Sequence, residues 1–218
     1  MINRSFCRLL NTLLFIGGIS LLVVNIARAD RLVLSPRGIV ANPESIQLEL
    51  LYGTQNLPNN IQWVTVGLSE SLLGLELEAE RAVNGSQRRT TFSAAYSFVG
   101  SAFTDLAPAL SIGVRDVLDQ GRDGRAFYAA ASKTFGLSER QEKFLRKWTM
   151  HAGYGTSHIG GVFVGVEGRL SMGFTAAVEF YQRRLNTSVT FPVLRHVNLK
   201  AATLNGQLFY GATLSISR

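Results

Sequence analysis

Three carboxylates at alternate positions have the spacing in this chain that most resembles a catalytic arrangement. Glu76, Glu78 and Glu80 are separated by single apolar or small residues. On a β-strand their side chains would share one face at intervals of about 7 Å, and paired carboxylates about 5–9 Å apart can hydrolyse glycosides. The interpretation we favour is a row of charges on an inward face that basic residues neutralise. The candidates for that neutralisation are Arg115, Lys147 and Arg169.

The other candidates for chemistry are two histidines and one adjacent ion pair. His151 and His158 flank a glycine-rich turn, and two histidines without a cysteine make a poor metal site. Arg115 and Asp116 form the best local ion pair, which predicts a pinned loop over 116–125, with binding of a charged sugar as the alternative. The glycines of 153–161 (GYGTSHIGG) match neither a Walker nor a Rossmann pattern. The sequence therefore predicts no catalytic residue, no cofactor and no metal site.

The beginning of the chain has the organisation of a secretory signal. Basic residues precede an apolar stretch over 9–24, and Ala27-Arg28-Ala29 matches the small-residue cleavage rule. Cleavage is predicted between Ala29 and Asp30, and the small-residue site disfavours the alternative of an uncleaved anchor. The predicted organisation is a cleaved signal peptide over 1–29, an extended lead-in over 30–43 and a barrel over 44–218.

Positions 44–218 are a series of short segments in which apolar residues alternate with Gly, Ala, Ser and Thr. Charged residues make up 17% of the chain, against about 25% in soluble domains, and beyond the signal no apolar run approaches the roughly 18 residues of a membrane helix. In lipid, only helices and closed barrels satisfy every backbone group. We therefore predict an all-β, antiparallel, up-and-down transmembrane β-barrel of about twelve strands. Ten strands are possible, because 61–69 and 127–133 do not separate cleanly into two faces.

The chemistry of the polar face predicts which side points inward. A soluble barrel of the lipocalin type places its apolar face inside and would expose many Lys and Glu residues. Here the polar face is small and sparsely charged, which suits a crowded lumen. The polar residues predicted to face that lumen are Glu76, Glu78, Glu80, Arg115, Lys147, His151, Glu167, Arg169 and Glu179.

Aromatic and basic residues concentrate near the ends of the segments. Membrane barrels carry aromatic girdles at both interfaces, and the residues predicted to form them are Tyr52, Trp63, Trp148, Tyr154 and Tyr210. The net charge of +7 could indicate nucleic acid. The basic residues are scattered or lie at segment ends, however, as in Arg88-Arg89 and Arg183-Arg184, so we interpret them as headgroup or loop charges.

Several motifs, taken in order, resemble one family. The stretch IGVRDVLDQGRDGRAFYAAASKTFG (112–136) is similar to the G-x-R-D…S-K segment of YjbH-type outer-membrane proteins. HAGYGT (151–156), GVFVGVE (161–167) and AAVEFYQRRLNTSVTF (176–191) follow in the order of that family's glycine and glutamate motifs. The resemblance implies an outer-membrane barrel associated with exopolysaccharide production and secretion. Long members of that family contain more chain, so it implies a single barrel unit here.

The sequence thus favours a non-enzymatic outer-membrane barrel that is an accessory or structural component of polysaccharide export, or a narrow channel. The expected partners are outer-membrane lipid and polysaccharide or export-machinery proteins, and not nucleic acid. One alternative is an outer-membrane barrel enzyme that acts on lipid or glycan. Another is a soluble periplasmic barrel that binds an apolar ligand inside.

Overall fold

The computed structural model describes residues 32–37, 39–41, 44–54, 59–68, 74–99, 107–121, 124–136, 145–170 and 173–217. The predicted signal peptide over 1–29, with its cleavage position between Ala29 and Asp30, lies outside these residues. Within the described ranges, no helix has both the length and the hydrophobicity needed to cross a membrane.

The chain forms a closed barrel in which each strand pairs antiparallel with its neighbours in sequence, and the first strand pairs with the last. The strands are β1 (Ser45–Gly53), β2 (Asn59–Leu68), β3 (Gly74–Asn84), β4 (Gln87–Val99), β5 (Ala109–Arg115), β6 (Ala126–Gly136), β7 (Leu145–Gly155), β8 (Gly161–Leu170), β9 (Thr175–Tyr181), β10 (Arg184–Leu194), β11 (Val197–Leu204) and β12 (Gln207–Ser217). This confirms the predicted all-β up-and-down barrel and its strand number.

Two of the tightest hairpins follow from glycines that the sequence places at the turn. Asn205 and Gly206 join β11 to β12 with φ of 54° and 81°, the positive values that a two-residue hairpin turn requires. Gly85, with φ of 61°, begins the turn between β3 and β4. These residues adopt positive φ at low cost, so the alternation on both sides can continue without a shift of register.

The two ends of the barrel are distinguished by its topology. We call the end where β1 begins and β12 finishes the terminal end. The opposite end, the distal end, holds the connections that follow β1, β3, β5, β7, β9 and β11. The connection after β7 contains a single 3-10 turn at Ser157–Ile159.

The outer wall of the barrel is apolar, and its inner wall carries the buried polar side chains together with buried apolar ones such as Leu51, Phe163 and Phe209. Outward side chains such as Val162, Leu185 and Ile112 are exposed by 64, 62 and 50%. The buried polar side chains point inward and include Ser45, Gln47, Thr65, Ser97, Ser111, Thr149, Asn186, Ser188, Thr213 and Ser215. This distribution is the reverse of that in a soluble barrel, where the apolar residues fill the interior.

Aromatic residues lie on the outer wall towards both ends. Phe135 stacks on Trp148 with 4.4 Å between ring centroids, and both lie near the terminal end. Tyr52 and Tyr210 are register partners at the distal end of the β1–β12 pair. The girdle prediction is wrong for Trp63, which is 2% exposed and lies inside the barrel. Its Nε1 donates to Glu80 at 3.0 Å, so a partner on the next strand holds this indole inside.

Candidate functional site

The lumen is occupied by the residues that precede the first strand. We call residues 32–37 and 39–41 the luminal segment. Leu32 and Val33 are almost fully buried and pack with Leu51, Trp63 and Phe209 of the inner wall. Glycine at position 165 makes room for this packing, because a Cβ there would collide with the side chain of Leu32. The described part of the predicted extended lead-in, 32–37 and 39–41, therefore lies inside the barrel, a position that strand periodicity gave no reason to expect.

One carboxylate on β9 satisfies a turn of the luminal segment. Glu179 accepts the backbone N–H groups of Val33 (3.1 Å), Leu34 (2.9 Å) and Ser35 (2.9 Å), together with the Ser35 hydroxyl (2.7 Å). Asn186 on β10 donates to the same carboxylate at 2.9 Å. Glu179 is 1% exposed, and a buried carboxylate is tolerated only when donors surround it. Glu179 thus holds the luminal segment against the wall.

Arg115 on β5 supports the same turn by donating a hydrogen bond to one of the turn's carbonyl groups. Its guanidinium donates to the Leu34 carbonyl and to the Tyr181 hydroxyl, the latter at 2.9 Å. Its neighbour Asp116 instead accepts the backbone N–H groups of Gln120 (3.1 Å) and Gly121 (2.5 Å). The two adjacent side chains therefore serve different structures: Arg115 fixes the luminal segment, while Asp116 fixes the loop that follows β5.

Further contacts continue along the luminal segment towards β1. Arg37 forms an ion pair with Glu167 on β8 at 2.5 Å, and its carbonyl accepts the Ser111 hydroxyl at 2.5 Å. Glu76 on β3 accepts the Ala41 backbone N–H at 2.6 Å. Strands β3, β5, β8 and β9 all contribute, so the segment is tied to widely separated parts of the barrel wall.

Two spaces adjoin the luminal segment. A gap of about 30 Å³ separates its Ser35–Arg37 region from β3, β4 and β5, which is room for no more than a few water molecules. A cavity of about 470 Å³ lies above Leu34 and Arg115 at the distal end; we call it the distal cup. Its walls carry aromatic and hydrogen-bonding groups, including Asn59, Trp63, Glu78, Glu80, Arg89, His158, Gln182, Arg184 and Phe209.

The predicted row of glutamates lies on the inner wall, where its members have different surroundings. Glu76 holds Ala41, as described above. Glu80 accepts from Trp63 and forms an ion pair with Arg89 at 3.0 Å, and the buried Glu78 lies between them. The two outer members are thus engaged by structural partners, which makes the row part of the wall and of the cup lining.

His151 belongs to a buried pair with Ser132. The Ser132 hydroxyl is 2.7 Å from Nδ1 of His151, the contact by which a histidine can activate a nucleophile. Nε2 of His151 has no hydrogen-bond partner among the described residues. Ser132 and His151 are 1 and 3% exposed, so no substrate reaches the pair while the luminal segment is in place. His158 lies elsewhere, in the distal cup, with Nδ1 3.0 Å from the Gly124 carbonyl.

Three basic residues outside the predicted set form ion pairs with inner acids. Lys147 and Arg169 are exposed register partners close to the terminal end. Ion pairs join inner acids to Arg37, to Arg89 and to Lys200, whose Nζ is 2.9 Å from Glu49 in a pair that is 4 and 6% exposed. Sequence reasoning missed Arg37, Lys200 and Glu49. In the sequence, Lys200 and Glu49 alternate with apolar residues that the structure places outward. This alternation was the only signal that the two charged side chains point inward.

Nothing in the described part of the chain groups enough His, Cys, Asp or Glu side chains to hold a metal ion. Neither a protein-family model nor a curated protein matches this sequence. The resemblance to YjbH-type proteins therefore stays a hypothesis.

Proposed function

We propose that this protein is a non-enzymatic outer-membrane β-barrel whose lumen is closed by its own N-terminal segment. The observation that carries the proposal is the reversed polarity of the wall. Apolar patches of more than a few hundred Å² are rare on soluble monomers, whereas here the outward apolar residues continue around the barrel. Lipid would cover them without cost, and the polar inner wall would stay away from it.

The dimensions of the wall agree with a membrane location. Strands β6, β7 and β12 each contain 11 residues. At about 3.4 Å per residue and a tilt of about 40°, such a strand spans roughly 28 Å, which matches an apolar band of about 25 Å with its two interfaces. The stacked aromatics near the terminal end and the tyrosines near the distal end lie where the two interfaces would be.

The contents of the lumen disfavour two of the alternatives. A barrel that binds an apolar ligand needs an open apolar interior. Here apolar residues of the inner wall, such as Leu51 and Phe209, cluster with the luminal segment, and the wall also carries many buried polar groups. An open channel needs a continuous water path, and residues 32–37 cross that path with their backbone bonded to the wall. The resting state is therefore closed, and a solute could pass only if the segment moved.

A role linked to exopolysaccharide is the biological setting that we propose for this closed barrel. Its support is the resemblance of 112–191 to YjbH-type proteins. The distal cup adds a chemical argument, because amide, carboxylate and guanidinium groups beside Trp63 and Phe209 suit hydroxyl-rich ligands. The protein would then act as an accessory or structural component, with the polymer or export proteins as partners.

Fractionation combined with a gel run with and without heating tests the location. We expect the protein in the outer membrane, with a heat-dependent change of mobility that indicates a closed barrel. Recovery from the soluble periplasm would contradict the proposal. A deletion strain then tests the biological role. Reduced secretion of exopolysaccharide supports that role, whereas unchanged secretion contradicts it without contradicting the proposed membrane barrel.

A further inference from the structure

Exposed arginines surround the distal end of the barrel. Strand β3 contributes one, the start of β4 two, the residue before β6 one, the β9–β10 connection one and the start of β10 one. These residues are Arg81, Arg88, Arg89, Arg125, Arg183 and Arg184. The β3–β4 and β9–β10 hairpins lie across the barrel from each other in a ring of 12 strands. The arginines thus form a collar, which we call the distal collar.

In the described part of the chain, no acid forms an ion pair with Arg81, Arg88 or Arg183. Among the residues that the structure describes there, Glu80 pairs with Arg89 and accepts from Trp63. The carboxylate of Asp116 is buried and bonded to backbone N–H groups. Asp119 is exposed, but its carboxylate accepts the backbone N–H of Arg125 at 2.8 Å. The collar therefore presents a positive surface.

Two members of the collar point away from the barrel axis. On β3, Arg81 lies on the same face as the outward Leu75 and Leu77, and on β4 Arg88 shares the face of the outward Phe92. The register pairs Arg81 with Thr90 and Val83 with Arg88. Arg81 and Arg88 are consequently diagonal neighbours about 7–8 Å apart. Both lie directly above the apolar wall and outside the distal cup.

The opposite hairpin places another arginine at the tip of an unusual turn. Gln182 and Arg183 have φ of 52° and 61°, a conformation that normally selects Asn-Gly, as the β11–β12 turn does. Residues that carry a Cβ are strained in this left-handed backbone conformation. The turn therefore carries an exposed guanidinium where glycine would be less strained, which is consistent with a use for the charge.

We propose that the outward arginines of the distal collar, Arg81 and Arg88, bind the phosphate groups of anionic lipids in the leaflet at that end of the barrel. This inference rests on the proposed membrane location. A guanidinium binds phosphate oxygens through two parallel N–H bonds, and Arg81 and Arg88 stand side by side where the apolar wall meets the headgroups. Their outward direction selects a lipid over a polymer in the cup, because a cup ligand would contact inward residues such as Arg89 and Arg184.

The test compares two double variants of the whole protein purified in a neutral detergent. Arg81→Gln with Arg88→Gln removes the outward pair. Lys147→Gln on β7 with Arg195→Gln in the β10–β11 connection removes two exposed charges at the terminal end as the matched control. The probe is short-chain phosphatidylglycerol, titrated at low salt against short-chain phosphatidylcholine. We expect phosphatidylglycerol to bind the unaltered protein and the control equally, and the distal variant to bind roughly fivefold more weakly for each arginine removed. Added salt should reduce the difference.

Three results would overturn the inference. One is equal phosphatidylglycerol binding by all three proteins, and another is equal weakening in both variants, which would reflect net charge alone. The third is that the distal variant loses binding to polygalacturonate, an anionic polysaccharide, while its binding of phosphatidylglycerol is unchanged. Heat-modifiable mobility shows that each variant is folded. A barrel that is found in the outer membrane but binds the lipid without Arg81 and Arg88 would refute the inference and leave the proposed function standing.

Discussion

At the scale of single residues, Glu179 accepts four hydrogen bonds from the luminal segment. Its carboxylate accepts from three consecutive backbone N–H groups, from a hydroxyl and from Asn186. Each of these bonds gains strength from the negative charge. Because no other acid is bonded to this turn among the described residues, the segment depends on one side chain for its attachment to β9.

We expect Glu179→Gln to loosen the luminal segment without opening the barrel. The amide keeps the shape of the side chain but loses the charge, and we estimate a cost of about 2 kcal/mol, or roughly thirtyfold in the docking equilibrium. The measurement is the rate at which trypsin cleaves after Arg37, followed by mass spectrometry on the folded protein. The exposed Glu44→Gln is the control and should leave that rate unchanged. Equal protection in the Glu179 variant would show that the carboxylate does not hold the segment.

The buried pair of Ser132 and His151 is either structural or a concealed catalytic pair, and substitution of Ser132 distinguishes the two. We expect Ser132→Ala to leave the lipid and glycan profiles of the cells unchanged, because the pair is buried beneath the luminal segment. Its effect should be on stability, about 1 kcal/mol for one buried hydrogen bond. Val162→Ala, on the outer wall, is the control for expression and folding. Loss of a specific lipid or glycan modification with Ser132→Ala alone would favour the enzyme alternative.

The strand face on which a residue lies could be predicted from the sequence, but the partners of each residue could not. Alternation places Glu76, Glu78 and Glu80 on one face without any knowledge of the fold. That Trp63 contacts Glu80 follows only from the β2–β3 register, in which the two are partners. In the segment predicted over 61–69 the indole lies near one end and resembles a girdle residue, whereas β2 begins at Asn59 and places Trp63 near its middle on the inward face, which is why the prediction for Trp63 was wrong.

At the scale of elements, the strands were easier to predict than the luminal segment. A period of two and glycine-containing turns indicated the strands directly. Residues 32–41 have no such period, because their neighbours are different strands on different sides of a lumen. Contacts such as Val33 with Glu179 join residues 146 positions apart, and only the closed barrel brings them together.

Deletion of residues 32–41 should convert the closed barrel into a conducting one. The strand ladders use none of these residues, since β1 begins at Ser45 and pairs with β12 and β2. In planar lipid bilayers we expect no steady conductance from the intact protein and stepwise openings from the deletion variant. Replacement of 32–41 by Gly-Ser repeats of equal length should also conduct, because it lacks the side chains that dock. Steady conductance from the intact protein would contradict a closed resting state.

At the scale of the whole molecule, the reversed polarity and the filled lumen explain each other. A polar inner wall cannot be buried without partners, and the luminal segment supplies many of them through its own backbone and Arg37. An apolar outer wall needs a solvent other than water. The luminal segment is the internal occupant, and the proposed membrane location would supply lipid around the outer wall. Substitutions on that wall can detect such a phase.

Lysine substitutions at different heights on β8 should report the depth of the membrane. Val166 is outward near the middle of the strand and Leu170 lies at its terminal end. In lipid vesicles we expect Val166→Lys to lower the free energy of unfolding by about 2–4 kcal/mol, and Leu170→Lys by about 0–1 kcal/mol, because a charge is costly only within the hydrocarbon. Denaturant titration of the vesicle-folded variants measures both. If the wall faced water instead, lysine would be tolerated equally at the two heights. Equal free energies of unfolding for the two variants would therefore contradict the membrane assignment, wherever the expressed protein is found.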